Sequence, residues 1–181
     1  MQINLSIDLP TKQGPGLLAL AEIIYSLQDE DSIIVGHEII PQRYDKDILS
    51  FLASNSLPHL TRRDKVYTEL LYTLDNARQI ADCIQLPRIT NAFTLHLPKK
   101  RPLADLTTPQ ICHLFFKDDF SWYKDNASKF RAVVFLSTED RYSLQIISTA
   151  LSYDELFGIM GSALAKYPVS CEACALKLKF A

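Results

Sequence analysis

The pattern of the sequence changes near Pro87, and this change limits the folds that the chain can adopt. Before this point, short segments alternate between strand and helix character, whereas the later segments are rich in the β-branched and aromatic residues that favour strands. The later segments of this kind are Thr90–Leu97, Gln110–Lys117, Phe130–Ser137 and Tyr142–Thr149. Helices followed by a run of strands are typical of α+β folds. We therefore predict an α+β fold with a mixed, mostly antiparallel sheet and helices packed on one face.

The elements of the first half are predicted from hydrophobic periodicity. Ile3–Leu9 alternates apolar and polar residues, which is the period of a half-buried strand. A helix over about Leu17–Leu27 and a strand over Ser32–Ile40 follow. Two further helices are predicted at about Asp45–Ala53 and Arg62–Ile84, because apolar residues recur there at steps of three and four. The expected order of this half is β-α-β-α-α.

The second half contains signals for one helix among strands. Residues 138–141 suit a hairpin loop between the third and fourth strands of this half. Ser152 followed by Glu155 is the signature of a capping box and predicts a helix that extends to about Lys166. A final strand is expected within Cys171–Phe180. The predicted order of this half is β-β-β-β-α-β.

Length and charge exclude several classes of protein. The chain has 181 residues and five glycines without a linker-like stretch, and domains average roughly 150 residues, so we predict a single domain over residues 1–181. The formal charge is −2, and the two basic clusters, Arg62–Lys65 and Lys99–Arg101, are short. Proteins that follow nucleic acid carry a basic stripe that neutralises phosphates. Nucleic acid is therefore not an expected partner.

The sequence also predicts a cytoplasmic protein that does not enter a membrane. Its first residues lack the basic region of a signal peptide. Its most apolar stretch, Gly16–Tyr25, is short and contains Glu22, so it does not suit a membrane span. Four cysteines are too few for a disulfide framework at this length, which favours a reducing compartment.

The motifs for metal binding and catalysis are incomplete. Cys171 and Cys174 form a CxxC, but a zinc site needs a second pair at matching spacing, which the sequence lacks. His37 and Glu38 are adjacent on a predicted strand, so their side chains are expected on opposite faces. His59 begins an HxT triplet without the second HxT or HxS triplet that a two-histidine phosphoesterase needs. We predict no metal, no cofactor and no catalytic residue.

One loop has the position of a phosphate site. Residues 11–16 lie between a predicted strand and a predicted helix, where main-chain N–H groups at a helix start can hold phosphate. The full phosphate-loop pattern is absent, and Pro15 removes one N–H donor, which favours a structural turn. A small enzyme, or a domain that binds a phosphate or nucleotide ligand through this loop and a histidine, is the alternative hypothesis. Its candidate ligand-binding residues are Lys12, Gly14, Gly16 and His96.

The strongest functional signal is an aromatic and charged segment, Phe115–Asp125. Five aromatic residues, among them the only tryptophan of the chain, alternate with charges over eleven residues. Large aromatic side chains framed by charge are typical of interface hot spots, although they can equally anchor a hairpin in the core. We predict a small, non-enzymatic binding or regulatory protein of the immunity, adaptor or regulator type, with a protein as its partner. The candidate partner-binding residues are Phe120, Trp122 and Tyr123. The oligomeric state is left open.

Overall fold

The computed structural model describes residues 3–9, 14–86, 92–105, 107, 110, 115, 126–137, 142–167 and 177–178. Its strands are β1 (Ile3–Leu9), β2 (Ile34–Pro41), β3 (His59–Arg63), β4 (Tyr67–Leu74), β5 (Ala92–Pro98), β6 (Phe130–Ser137), β7 (Tyr142–Ser148) and β8 (Lys177–Leu178). Its α-helices are α1 (Pro15–Ser26), α2 (Lys46–Ser54), α3 (Ala77–Gln85), α4 (Lys100–Ala104) and α5 (Tyr153–Lys166). None of these helices is both long enough and apolar enough to cross a membrane.

The strands form one sheet in the order β3-β4-β2-β5-β6-β7-β1-β8. All neighbouring strands pair antiparallel. The predicted α+β fold is therefore confirmed, and the described sheet is antiparallel throughout rather than mixed. The two edges of this sheet are β3 and β8.

Helices α1, α3 and α5 pack on one face of the sheet, as predicted. Helix α1 contacts both α3 and α5. Side chains from the three helices, such as Leu20, Ile80 and Met160, share one core with the sheet residues Leu70 and Leu95. Burying each large apolar side chain in this way contributes about 1.5–3 kcal/mol. We call this side of the sheet the helix face and the opposite side the second face.

The predicted helix Arg62–Ile84 is wrong. The chain instead forms the hairpin of β3 and β4, followed by α3. The carboxylate of Asp64 fixes the hairpin turn, because its Oδ1 accepts hydrogen bonds from the main-chain N–H groups of Val66 at 2.6 Å and Tyr67 at 2.7 Å. The hydrogen bond from Tyr67 contributes most, followed by that from Val66, and together they hold the pKa of the Asp64 carboxyl below its ordinary value. The first half thus runs β-α-β-α-β-β-α.

The periodicity was misleading in this region because β4 is buried on both faces. Leu70 and Tyr72 face the helices, and Leu71 faces the other way, so three consecutive residues are apolar and buried. A short apolar run of this kind matches a helical stripe as well as a strand. The helix begins only at Ala77, after the N-cap residue Asn76, whose side chain accepts a hydrogen bond from the N–H of Gln79 at 2.9 Å.

The predictions for the second half have mixed outcomes. The capping box is confirmed, since Ser152 Oγ accepts from the N–H of Glu155 and the Glu155 carboxylate accepts from the N–H of Ser152. The predicted hairpin strands are confirmed as β6 and β7, which pair antiparallel; their loop lies outside the described residues. Gln110 and Phe115 have helical rather than extended backbones, and most of the strand predicted around them lies outside the described residues. Of the last predicted strand, only β8 is described.

Candidate functional site

The strand registers arrange the second face into rows that cross the sheet. One row runs through Leu60, Leu71, His37, Thr94, Phe135 and Gln145. The next row runs through Thr73, Val35, His96, Val133 and Ile147. The buried apolar members of these rows pack with Phe115 and Phe130 into a second, smaller core. This second face therefore combines apolar side chains with two histidines.

His37 and His96 are diagonal neighbours on the second face. Both side chains are buried, and their ring centroids are 5.9 Å apart. The His96 ring meets Phe115 edge to face, with centroids 5.1 Å apart and an interplanar angle of 76°. This contact helps to hold Phe115 over the sheet, since edge-to-face aromatic pairs are stabilising at such distances.

Glu38 faces away from His37, which confirms the prediction for these two residues. On the helix face its carboxylate accepts a hydrogen bond from Tyr72 Oη. Tyr72 Oη also lies 3.2 Å from Cys83 Sγ of α3. Buried carboxylates need such partners, because transfer from water is otherwise costly. The buried cluster of Glu38, Tyr72 and Cys83 therefore holds β2 and β4 against α3 and has a structural role.

A cavity lies on the second face beside Phe115, at the β3 end of the sheet. Its volume is about 240 Å³. It is lined by Ile33, Val35, Pro58, His59, Leu60, Leu71, Tyr72, Thr73 and Phe115. None of these side chains carries a fixed charge. We call this space the edge cavity, because three of its lining residues, 58–60, belong to the edge strand β3 or directly precede it.

His59, at the start of β3, forms one hydrogen bond with the main chain. Its Nδ1 lies 3.0 Å from the main-chain oxygen of Leu57. A carbonyl oxygen can only accept a hydrogen bond, so Nδ1 carries a proton and donates it. In the neutral imidazole the other nitrogen, Nε2, is then a hydrogen-bond acceptor. His59 pairs with Tyr72 of β4, so its side chain lies on the helix face, opposite to the side chains of Leu60 and Leu71 that line the edge cavity.

The main chain of β3 is free on its outer side within the part of the chain that the structure describes. The N–H of Thr73 bonds to the oxygen of Pro58, and the N–H of Asp64 bonds to the oxygen of Tyr67, at the two ends of the hairpin. In an antiparallel pair, residues that bond to the neighbouring strand alternate with residues that face away from it. The outward N–H and C=O groups of β3 are therefore those of His59, Thr61 and Arg63, which we call the binding edge.

Charged side chains often protect exposed strand edges from pairing with other chains. Both arginines of β3, however, form ion pairs with carboxylates of the same chain. Arg62 Nε lies 2.5 Å from Glu69 Oε2 on β4. Arg63 Nη2 lies 3.0 Å from Asp45 Oδ2, which also accepts from Thr68 Oγ1 at 2.7 Å. These contacts fix β3 to β4 and to the start of α2. They leave the outward main-chain groups of the binding edge accessible.

The structure separates the two parts of the predicted ligand site. Gly14 precedes α1 with φ +83°, and Gly16 is buried in the first turn of α1, whose core residues lie on the helix face. His96 lies on the second face, so the sheet stands between the histidine and Gly16. Lys12, Phe120, Trp122 and Tyr123 lie outside the described residues. Cys171 and Cys174 lie outside them as well.

The sequence interpretation missed the binding edge and the edge cavity. It assigned Arg62 and Arg63, the last two residues of β3, to the first turn of a long helix, which hides the strand edge. Two signals pointed to the correct assignment: the two arginines in the supposed first helical turn oppose the helix dipole, and Asp64 is suited to a turn. No sequence signal marks the cavity, because its walls come from four separate parts of the chain.

Comparison with known proteins gives no assignment: no family model, no curated protein and no solved structure matches the chain. Within the described residues, no group of three or more histidine, cysteine, aspartate or glutamate side chains could hold a metal ion. The binding edge and the edge cavity are therefore the candidate functional features of the described residues.

Proposed function

We propose that the chain is a protein-binding module that takes up an extended segment of a partner protein along β3. The observation that carries this proposal is the meeting of a free strand edge with an apolar cavity at His59 and Leu60. In strand addition, main-chain hydrogen bonds supply affinity, and pockets for alternate side chains supply specificity. The end of the sheet at β3 has both elements side by side.

The partner segment would pair with the outward groups of His59, Thr61 and Arg63. Three residues offer up to six main-chain hydrogen bonds, each worth about 0.5–1.5 kcal/mol net. Residues of the partner next to Leu60 would point toward the second face, where the edge cavity opens. An apolar side chain buried there adds about 1.5–3 kcal/mol. Ordering the partner offsets part of this gain, so we expect a reversible complex.

This proposal keeps the class of function that the sequence favours, a non-enzymatic binding protein, and assigns the contact to β3 rather than to Phe120, Trp122 and Tyr123. An adaptor, a regulator or an immunity protein could use such an edge. The alternative ligand-binding hypothesis gains no support from the described residues, since His96 and Gly16 lie on opposite sides of the sheet.

The proposal is tested by selecting short random peptides against the immobilised chain and measuring their affinities for two variants. Thr61→Pro removes an outward N–H of the binding edge, at a position where an edge strand tolerates proline. Thr61→Val is the matched control that keeps the N–H. We expect selected peptides to bind Thr61→Pro at least tenfold more weakly than Thr61→Val. Equal affinities for the two variants would contradict strand addition.

A second experiment needs no change in the protein. The selected peptide is synthesised with single N-methyl groups along its backbone, which block one N–H at a time. Strand addition predicts an alternating result, in which every second N-methyl group lowers affinity at least tenfold and the intervening groups have little effect. A uniform effect at all positions would contradict the proposal even if the proline variant failed to fold.

A further inference from the structure

We propose that the binding edge also pairs with the binding edge of a second copy of this chain, so that the unbound protein associates reversibly and masks its own site. The masking adds regulation to the proposed function and rests on it. The structural basis is the symmetry of β3 about its middle residue, Thr61. All five residues of β3 are exposed, as an approaching strand requires.

The outward groups of β3 are placed symmetrically along the strand. His59 and Arg63 lie two residues to either side of Thr61. A two-fold axis through Thr61, perpendicular to the sheet, brings Thr61 opposite Thr61 of the second copy and His59 opposite Arg63 of the second copy. In an antiparallel pair, outward residues that lie opposite each other exchange both main-chain hydrogen bonds. These pairs offer up to six hydrogen bonds, which is the full capacity of the binding edge.

The side chains that meet on the helix face are compatible. The two Thr61 side chains lie side by side at the axis, and cross-strand threonine pairs are favourable. His59 meets Arg63 of the second copy, whose guanidinium is already paired with Asp45 of its own chain. Nε2 of the neutral imidazole is an acceptor and suits the N–H groups of a guanidinium. The helix face therefore presents no uncompensated pair of like charges.

The side chains that meet on the second face are compatible as well. Leu60 lies opposite Arg62 of the second copy. The guanidinium of Arg62 is held by Glu69 of its own chain, and its methylene groups can cover an apolar neighbour. Leu60 is 39% exposed in the single chain. Self-pairing would thus shield Leu60 at the opening of the edge cavity.

Other two-fold registers of the same strand use the edge less fully. With the axis at Leu60, the outward groups of Arg63 face Leu57, which precedes β3, and only four hydrogen bonds remain within the strands. With the axis at Arg62, the two Arg62 side chains lie directly opposite each other, and like charges in that position are destabilising. The register centred on Thr61 avoids both disadvantages.

Association through one five-residue strand is expected to be weak. Stable protein interfaces bury roughly 1,200–2,000 Å², more than two short strands supply by their edges. The self-pairing is therefore reversible, and a partner segment that also fills the edge cavity displaces the second copy. The concentration of the chain itself then regulates partner binding.

Cysteine cross-linking tests the position of the axis. Residues opposite each other in such a pair have Cα atoms about 5.5 Å apart, a separation that a disulfide spans. Cys83 is buried and is kept, and the other native cysteines are replaced by Cys112→Ser, Cys171→Ser and Cys174→Ser. Single cysteines are then introduced by Leu60→Cys, Thr61→Cys and Val66→Cys, the last as the control in the exposed hairpin turn.

In a glutathione redox buffer, we expect Thr61→Cys to form disulfide-linked dimers at least tenfold faster than Val66→Cys. Equal rates for these two variants would overturn the proposal. Faster linkage of Leu60→Cys than of Thr61→Cys would place the axis at Leu60 and overturn the assigned pairing. Non-reducing electrophoresis measures all three rates.

A second measurement uses the pair away from the axis. His59→Cys alone, or Arg63→Cys alone, places its two cysteines four residues apart along the paired strands. An equal mixture of the two variants brings unlike cysteines opposite each other. We expect mass spectrometry of the mixture to show mostly mixed dimers. The statistical proportion of mixed and unmixed dimers would contradict the two-fold pairing.

Masking is tested with the linked Thr61→Cys dimer, which should bind selected peptides at least tenfold more weakly than the same variant after reduction. Unchanged affinity would overturn the masking. The two proposals fail separately. If Thr61→Cys links as expected but the peptides ignore Thr61→Pro, self-pairing remains and strand addition by a partner is wrong. If the peptides respond to Thr61→Pro but Thr61→Cys links no faster than Val66→Cys, strand addition remains and self-pairing is wrong.

Discussion

Leu60 of β3 lies directly opposite Leu71 of β4, yet Leu60 is 39% exposed and Leu71 only 4% exposed. Both side chains line the edge cavity. This pair therefore connects a solvent-facing strand edge to an apolar interior. A partner strand on β3 would cover Leu60 first and place one of its own side chains beside it, over the cavity.

Replacing Leu60 with aspartate should weaken partner binding and leave the fold nearly unchanged. The carboxylate would stay hydrated at the opening of the cavity and oppose its filling by an apolar side chain. We expect affinity for selected peptides, measured by calorimetry, to fall at least tenfold. Val66→Asp is the matched control, because Val66 is exposed in the hairpin turn and does not line the cavity. Equal losses in the two variants would contradict the role of Leu60.

The two leucines should differ in their effect on stability. Leu71→Ala removes a buried side chain from the second face and should lower the free energy of unfolding by about 2–4 kcal/mol. Leu60→Ala removes an exposed side chain and should cost less than about 1 kcal/mol. Urea denaturation of both variants provides the comparison. A similar cost for both would mean that β3 is not an exposed edge.

Gly36 should not tolerate a side chain. A Cβ at this position of β2 would overlap the ring of Tyr72, which crosses the helix face there. Because Tyr72 is also bonded to Glu38, it cannot move away freely, and we expect Gly36→Ala to destabilise the fold by about 1–3 kcal/mol. Gly158→Ala is the control: open space surrounds that position in α5, and alanine there should stabilise the helix by about 0.5–1 kcal/mol. The reverse ranking in thermal unfolding would be inconsistent with the packing described.

The capping box of α5 should contribute to stability in a pH-dependent way. The main-chain N–H of Ser152, followed by its hydroxyl, donates to Glu155 and holds the pKa of that carboxyl below its ordinary value of 4.5. A carboxyl with a lower pKa in the folded state stabilises the fold above its unfolded pKa, and this contribution is lost as the pH falls through the folded value. Glu155→Ala should therefore lower the midpoint of urea unfolding at neutral pH, because it removes this carboxylate and keeps the Ser152 hydroxyl as the cap. Its difference from wild type should shrink below pH 4.5; a constant difference would contradict this origin.

The sequence was sufficient to predict most of the architecture. The alternation in Ile3–Leu9, the two strands on either side of residues 138–141 and the capping box at Ser152 are local patterns, and each forms the structure that its period or motif predicts. An antiparallel sheet covered by helices on one face follows from the order of such elements.

The candidate site could not be predicted in the same way, because it depends on contacts between distant segments. In β4 the consecutive buried residues 70–72 hide the period of two, since their side chains fill both the helix face and the second face. This masked the hairpin and, with it, the free edge of β3. The edge cavity requires Ile33, Leu71 and Phe115 to meet, and no local pattern encodes that distance.

Hydrogen exchange at single amides of β3 tests strand addition most directly. In the free protein, the amides of Leu60 and Arg62 bond to β4 and should exchange slowly, whereas those of His59, Thr61 and Arg63 should exchange fast. With a selected peptide bound, we predict that the three fast amides become protected and that Leu60 and Arg62 change little. If the peptide binds while His59, Thr61 and Arg63 keep their fast exchange, the partner does not add a strand to β3, and the proposed function is wrong.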